Sequence, residues 1–217
     1  MYKSVLFAIT IVSLFPLLAG AKTLSIQVQD QDKQPLESAV IWVEQSEEEF
    51  IASQPAKLQP FIMDQINKQF DPYVLAVPMN SDVMFPNSDS IKHHVYSFSA
   101  AKPFELKLYK GSNHQPLVFN KSGVVELGCN IHDWMLGYIL VVQSHILATS
   151  DQNGLVTLEQ TNNATELKVW HPRFENKQLP LTYTIDNSKT EQIITITQPL
   201  LPDLRQYRQT DKFDAYE

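Results

Sequence analysis

Side chains that bind soft metals are concentrated in one short stretch of the chain. Cys129, His132 and Met135 follow a Cys-x2-His-x2-Met spacing, and the pair His93-His94 lies upstream. Two imidazoles and one thiolate in a trigonal arrangement, with a weak thioether on the axis, suit copper and its one-electron cycle. A zinc site would favour further Cys or His ligands nearby, and a thioether would contribute little to it. The pattern therefore predicts one copper site.

These side chains must be positioned by elements that are distant in the sequence. A tight loop between two strands can present Cys129, His132 and Met135 toward one point, while the other His comes from a distant strand. Short alternating or apolar runs recur along the chain between Pro, Asn, Asp and Gly, and no segment has sustained helical periodicity. This predicts an all-β protein of antiparallel sandwiches or barrels, with residues 61–70 as the one candidate helix.

Composition narrows the class of protein. The chain has 217 residues, 43% of them hydrophobic, a single Cys and a formal net charge of -7. The length allows one large domain or two small ones, each with a hydrophobic core. The lone Cys129 excludes a disulfide scaffold, and the acidic balance argues against nucleic-acid binding, whose affinity comes mostly from Lys and Arg.

The amino terminus has the pattern of an export signal. Lys3 precedes an uncharged apolar run over residues 4–18, and Ala19-Gly20-Ala21 is a small-x-small site of the kind that signal peptidases accept. We predict a Sec-type signal peptide over residues 1–21, cleaved after Ala21, and no membrane span in the mature chain. An uncleaved anchor is the alternative. In an oxidising compartment a free thiol is prone to oxidation, so Cys129 is expected either to be buried and inert or to have a ligand bound to it.

The metal-binding stretch resembles the cupredoxins, the type 1 copper domains of plastocyanin, pseudoazurin and amicyanin. The loop from Cys129 to Met135 has the short amicyanin spacing, and Asn87 precedes His93 by six residues in a similar arrangement. The resemblance implies a Greek-key β-sandwich over residues 60–143. It also implies one type 1 copper site. The equatorial ligands would be His93, Cys129 and His132, and the axial ligand would be Met135.

A closer resemblance is to exported proteins often labelled methylamine utilization proteins. It is carried by residues 93–99, His-His-Val-Tyr-Ser-Phe-Ser, and by residues 127–135, Leu-Gly-Cys-Asn-Ile-His-Asp-Trp-Met. The label is a family name and not a demonstrated role in methylamine oxidation. Together with the signal pattern, the resemblance implies a periplasmic protein of a Gram-negative bacterium.

Three residues are candidates to brace the ligands: Asn87, His94 and Gln65. Plastocyanin and amicyanin carry Asn where this chain has His94, so His94 is expected to supply the bracing hydrogen bond, with a spare ligand or a solvent-facing residue as alternatives. Gln65 is of an axial donor type, although a structural turn at Asp64 and Gln65 is the favoured interpretation. Among the other histidines, His171 is expected to be structural, and His114 and His145 are expected to lie at the surface.

The flanking segments resemble a carboxypeptidase-regulatory or transthyretin-like sandwich. The resemblance is carried by an Asp-rich turn with Pro35-Leu36 and by a second turn over residues 149–154. Neither segment has enough strands for a closed core, so residues 22–48 and 144–200 are predicted to form one discontinuous sandwich into which the cupredoxin domain is inserted. Residues 201–217 are predicted to be a frayed tail. One extended β-protein is the alternative.

Two classes of function remain open. The first is one-electron transfer between larger redox proteins, cytochrome- or dehydrogenase-like, through the exposed edge of His132 with Trp134 and Leu136 as docking residues. The second is copper carriage, or binding of a partner without redox chemistry. A carrier is more often open and rich in Met or His, and this chain has five Met. Electron transfer without enzymatic activity is therefore favoured. Trp134 as a core residue is the alternative to docking.

Overall fold

The chain folds almost entirely into β-strands, which confirms the predicted all-β class. The computed structural model describes residues 23–56, 59–112, 114–159 and 164–207, so the predicted signal peptide with its cleavage site and residues 208–217 of the predicted tail lie outside these ranges. The strands are β1 (Thr23–Gln29), β2 (Val40–Trp42), β3 (Phe61–Ile62), β4 (Asp64–Gln65), β5 (Phe70–Asp71), β6 (Val74–Pro78), β7 (Ser81–Met84), β8 (His93–Ser97), β9 (Phe104–Tyr109), β10 (Leu117–Phe119), β11 (Gly123–Cys129), β12 (Leu136–Val142), β13 (Leu147–Thr149), β14 (Leu155–Glu159), β15 (Glu166–Trp170), β16 (Leu181–Thr184) and β17 (Glu191–Thr195). A short helix, α1 (Glu47–Ala52), and a 3-10 turn at Leu204–Tyr207 complete the described elements.

The middle of the chain forms a sandwich that contains all the predicted metal ligands, named here the first sandwich. Its larger sheet has the strand order β6-β12-β11-β8-β9, and its smaller sheet has the order β10-β7-β3. Alternate residues of the strands point inward, as period-two patterns require. They share one buried core that includes Val83 and Phe119 from the smaller sheet and Val95, Leu127 and Ile139 from the larger.

The segments before and after the first sandwich pair with each other and form a second sandwich. One sheet has the order β14-β1-β17 and the other the order β13-β2-β15-β16. Both sheets contribute to a separate buried core, with Leu24, Ile26 and Leu158 from the first sheet and Ile41 and Val169 from the second. The chain thus leaves this sandwich after β2, builds the first sandwich and returns at β13. The likeness of the second sandwich to transthyretin-like domains stays a prediction.

A third cluster of buried residues joins the two sandwiches. Val40, Trp42 and Trp170 of the second sandwich pack against residues of β6 and β12, among them Val74 and Tyr138. The Tyr138 and Trp170 rings meet edge to face with centroids 5.9 Å apart. Strand β2 is therefore buried on both faces, which explains its unbroken apolar run Ala39-Val40-Ile41-Trp42.

The prediction of a helix over residues 61–70 is wrong, since this segment forms β3 and the β4–β5 hairpin. The helix lies earlier, at Glu47–Ala52, where the sequence analysis predicts none. Ser46 and Glu49 form a capping box at its start: the Ser46 hydroxyl accepts the Glu49 N–H and the Glu49 carboxylate accepts the Ser46 N–H. Phe50 anchors the helix by stacking on His145 at 4.4 Å. No helix among the described residues is long and apolar enough to cross a bilayer.

His171 is buried, 1% exposed, beside the turn that follows β15. Its Nε2 lies 3.0 Å from the Glu37 carbonyl oxygen, and its Nδ1 accepts the Arg173 N–H at 3.2 Å. Both ring nitrogens are thus used by the neutral imidazole, in keeping with the structural role expected of it. Burial lowers the pKa of His171 to about 4, because a charged ring there would lose its hydration.

We therefore predict that His171 makes the protein acid-sensitive. The unfolded chain has the ordinary His pKa near 6.5 and binds more protons than the folded chain between pH 6.5 and about 4. The free energy of unfolding should consequently fall as pH falls through this window, by up to about 3 kcal/mol. Urea unfolding at a series of pH values measures this. His171→Gln should flatten the acid limb, His114→Gln should leave it intact, and an unchanged limb in His171→Gln would contradict the assignment.

Candidate metal centre

Strand pairing brings the two distant parts of the site together. β11 lies between β8 and β12 in the larger sheet, with Cys129 opposite Val95 in register. His93 begins β8 and Cys129 ends β11, so both point into the same end of the first sandwich. The Asn130 N–H donates to the His94 carbonyl at 3.2 Å and extends this pairing by one residue.

The loop after β11 folds back over Cys129. The Met135 N–H donates to the His132 carbonyl at 2.9 Å, which closes a tight turn before β12 begins. This turn buries the side chains of His132 and Met135, 7% and 2% exposed. The short Cys-x2-His-x2-Met spacing therefore suffices to return three donor-bearing side chains to one end of the sandwich.

Three of the four predicted ligands form a compact cluster. Cys129 Sγ lies 3.7 Å from His93 Nδ1 and 3.7 Å from His132 Nδ1, and the three donor atoms all lie within 4.8 Å of one another. His93 is fully buried and Cys129 is 3% exposed. Met135 belongs to the same buried core as Cys129. Among the described residues no other group of three His, Cys, Asp or Glu side chains approaches in this way.

The spacing of the donor atoms fits a metal ion. Bonds of about 2.0 to 2.3 Å that meet at a trigonal angle place two donor atoms roughly 3.7 Å apart. The two sulfur–nitrogen distances in the cluster have this value. Two imidazole nitrogens and one thiolate, with a thioether in the same buried core, form the donor set that suits copper.

The protein environment favours the ionised thiol. Burial raises the pKa of Cys129, but contact with His93 and with backbone groups of the neighbouring residues outweighs burial, and the net pKa is lowered. Burial lowers the pKa of His93, yet its contacts with Cys129 and Asp89 outweigh burial and raise it. The thiolate is the metal-binding form of Cys, so these contacts favour the form of Cys129 that a metal requires.

Asp89 is a site residue that the sequence reasoning missed. Its Oδ2 lies 2.7 Å from Nε2 of His93, four residues further along the chain. An ionised carboxylate only accepts hydrogen bonds, so Nε2 of His93 carries a proton, and Nδ1 is the ring nitrogen left to bind a metal. Carboxylates commonly orient metal-binding histidines in this way. The i, i+4 spacing of an acid before a candidate His was the available signal.

The three predicted bracing residues have different positions. Asn87 is 3% exposed and ties the loop before β8, since its side-chain amide donates to the Ile91 and Tyr109 carbonyls at 3.0 and 2.9 Å. Gln65 is fully buried and donates from Nε2 to the Pro86 carbonyl at 2.8 Å. Its Oε1 has no hydrogen-bond partner. Both residues thus fix loops around the site.

His94 lies outside the donor cluster. Successive side chains of a strand alternate between faces, and His94 Nε2 lies 2.9 Å from Glu105 Oε1 on the neighbouring β9. The part of His94 that reaches the ligand loop is its backbone carbonyl, which accepts from Asn130. That bracing by a hydrogen bond comes from the main chain, so any residue type at position 94 can supply it.

The predicted docking residues flank the site unevenly. Trp134 is half-buried, with its ring centroid 5.2 Å from that of His132. Leu136 is also half-buried, at the edge of the cluster that joins the sandwiches. Ile131, which was not predicted, is 49% exposed on the same loop. Among the apolar side chains of this loop, Ile131 is therefore the most exposed, Trp134 lies beside His132, and Leu136 packs against the cluster that joins the sandwiches.

The remaining histidines lie apart from the donor cluster. His114 packs edge-on against Tyr109 with ring centroids 4.4 Å apart, and His145 stacks on Phe50. Both were expected to lie at the surface, but both are half-buried.

A cavity of about 1350 Å³ lies between the two sandwiches, and its lining includes His145 and Arg205 but none of the four predicted metal ligands.

Comparison with known proteins gives partial structural likenesses. No family model matches the sequence and no curated protein matches it. A purple cupredoxin from Nitrosopumilus maritimus is 22% identical over 37% of this chain and 98% of its own, with a TM-score of 0.34. A point mutant of amicyanin in its reduced Cu(I) form is 22% identical over 42% of this chain and 88% of its own, with a TM-score of 0.35.

A copper-containing nitrite reductase from Thermus scotoductus is 21% identical over 52% of this chain and 28% of its own, with a TM-score of 0.38. Each likeness is to part of this chain, and the scores are low.

Gly128, immediately before Cys129, is packed under an aromatic ring. A Cβ atom at Gly128 would lie 2.7 Å from Cζ of Tyr96, the residue opposite it on β8. The ring can approach the strand this closely only because position 128 has no side chain.

We predict that Gly128→Ala lowers the free energy of unfolding by about 1 to 3 kcal/mol, because the added methyl group overlaps the Tyr96 ring. In a Tyr96→Ala background the same substitution should cost much less. A double-mutant cycle measured by urea unfolding of the apoprotein gives this coupling energy. Additive effects of the two substitutions would show that the close packing of Tyr96 on Gly128 is not what constrains this position.

Proposed function

We propose that the protein is a type 1 copper protein that carries single electrons between larger redox partners. The observation that carries the proposal is the buried cluster of His93, Cys129 and His132, with sulfur–nitrogen distances of 3.7 Å. A copper ion bound there would accept and release one electron. We assign Met135 as the weak axial ligand, since it shares the buried core with Cys129.

The chain's own residues supply a rigid and dry site. The four assigned ligands are between 0% and 7% exposed, and their backbone is fixed by strand pairing and by the Met135-to-His132 turn. A site of this kind keeps the same ligands and nearly the same geometry in both oxidation states, which electron transfer requires. A copper carrier has to exchange its ion with other proteins, and a buried site does not favour that exchange.

The proposal includes a periplasmic location and redox partners of the cytochrome or dehydrogenase type. The export pattern of residues 1–21 supports the location, and one thiol held against two imidazoles is a chemically sensible arrangement in an oxidising compartment. The net charge of -7 favours a basic partner, because opposite charges speed encounter at low ionic strength.

Copper titration of the protein tests the assignment of the site. We predict one Cu(II) per chain and an intense visible band from thiolate-to-copper charge transfer. Cys129→Ser should abolish the band and His132→Gly should lose it until imidazole is added. His145→Gln, a half-buried histidine away from the cluster, is the matched control and should keep the colour. A colourless Cu(II) complex of the unsubstituted protein would remove the type 1 assignment.

We assign the electron port to the His132 edge, with Ile131 and Trp134 as its apolar border and Leu136 behind them. Small, weakly held interfaces suit fast electron exchange. Ile131→Ser and Trp134→Ala should each slow electron transfer to a basic cytochrome about fivefold or more, and the rate should fall as salt is added. Stopped-flow kinetics measures both.

The matched control for this prediction is Ile193→Ser. Ile193 is 69% exposed on β17 of the second sandwich, so the substitution removes a similar exposed side chain away from the donor cluster. Copper content and potential should survive in all three variants. If Ile131→Ser and Ile193→Ser transfer electrons at the same rate, the docking surface lies elsewhere.

A further inference from the structure

The Asp89 carboxylate is held by more donors than its contact with His93 alone would need. Oδ1 accepts the Asn67 N–H at 2.6 Å, and Oδ2 accepts the Lys68 N–H at 2.9 Å. Oδ2 also accepts from His93 Nε2 at 2.7 Å. Asp89 is only 13% exposed. Three N–H groups therefore converge on the two oxygens of one largely buried anion.

The two backbone donors come from a specific turn. Asn67 and Lys68 join β4 to β5 and have φ values of 54° and 57°. The neighbouring Ile66 and Gln69 exchange backbone hydrogen bonds at 2.9 and 3.1 Å, as in a two-residue hairpin whose central residues both have positive φ. Successive N–H groups in such backbone form a concave anion site, and in this protein the anion is the side chain of Asp89.

We propose that Asp89, clamped by the Asn67–Lys68 turn, is a positioning residue for the metal centre. It holds a proton of His93 on Nε2 and leaves Nδ1, which lies 3.7 Å from Cys129 Sγ, as the ring nitrogen that binds a metal. Its negative charge also stabilises the higher oxidation state of a bound metal. The identity of the bound metal as copper rests on the proposed function, whereas the positioning of His93 by Asp89 does not.

Only a carboxylate can satisfy all three donors. Asparagine has the shape of Asp89 but a single oxygen, so its amide nitrogen must face at least one N–H group. If the amide nitrogen faces His93, the imidazole has to accept at Nε2 and carry its proton on Nδ1, which then cannot bind a metal. If it faces the turn, the clamp opens. Either orientation therefore weakens the site.

Asp64 offers a matched control within the same group of loops. Its carboxylate accepts from the Ser88 hydroxyl at 2.7 Å and from the Gln65 N–H at 2.6 Å. Asp64→Asn thus removes the same charge and a similar number of hydrogen bonds without changing the partner of His93. A purely structural role of Asp89 would make the two substitutions alike.

The experiment measures Zn(II) affinity by competition with a chelator, in Asp89→Asn and Asp64→Asn, with urea unfolding of each apoprotein. Asp89→Asn should lower Zn(II) affinity about 10- to 100-fold, and Asp64→Asn should change it little. In the copper-loaded forms Asp89→Asn should raise the reduction potential more than Asp64→Asn does. Equal affinities and equal potentials in the two variants would overturn the proposal, whatever their stabilities.

A second pair of variants tests the clamp if Asp89→Asn does not fold. Lys68→Gly keeps a residue that accepts positive φ, whereas Lys68→Val introduces a β-branched residue that resists it. Zn(II) affinity should be kept in the first and lowered in the second, and equal affinities would overturn the proposal. A colourless Cu(II) complex together with a Zn(II) affinity that depends on Asp89 would refute the proposed function and leave this inference standing.

Discussion

The candidate metal centre depends on the pairing of two strands that are distant in the sequence. β8 carries His93 and β11 carries Cys129, and their register places Cys129 opposite Val95. A slip of one residue by either strand would turn that strand's candidate ligand to the other face of the sheet, away from its partner. The order β6-β12-β11-β8-β9 places this pair inside the larger sheet, with a neighbour on each side. The site therefore exists only when the first sandwich is fully assembled.

The rest of the molecule supports this pairing from outside. Trp42 and Trp170 cover β12 and β6 through the cluster that joins the two sandwiches, so the sheet that bears Cys129 is buried on part of its outer face. At the other side of the site, the β4–β5 hairpin holds Asp89, which in turn holds His93. Elements from several parts of the chain thus fix His93 and Cys129. The short loop after β11 has to position only His132 and Met135.

Local patterns in the sequence predict much of the fold and three side chains that lie together at the candidate site. The alternating and apolar runs at residues 104–109 and 117–119 form β9 and β10, and the loop after β11 brings Cys129 and His132 together with His93. Residues 61–70 were wrongly predicted as a helix, because Asn67-Lys68 lacks the glycine that usually marks a tight hairpin turn. Helix α1 was missed although its capping box is present in the sequence. Asp89 acquires its role through contacts with both Asn67 and His93, and such a contact between separate segments leaves only a weak local signal.

We propose that the protein holds one set of ligands ready for both oxidation states of copper. X-ray absorption spectroscopy at the copper edge, on the Cu(II) and Cu(I) forms of the same sample, tests it most directly. We predict one short copper–sulfur bond and two copper–nitrogen bonds in both states, with little change in bond length on reduction. Loss of the sulfur ligand, or a change in the number of ligands between the two states, would contradict the claim.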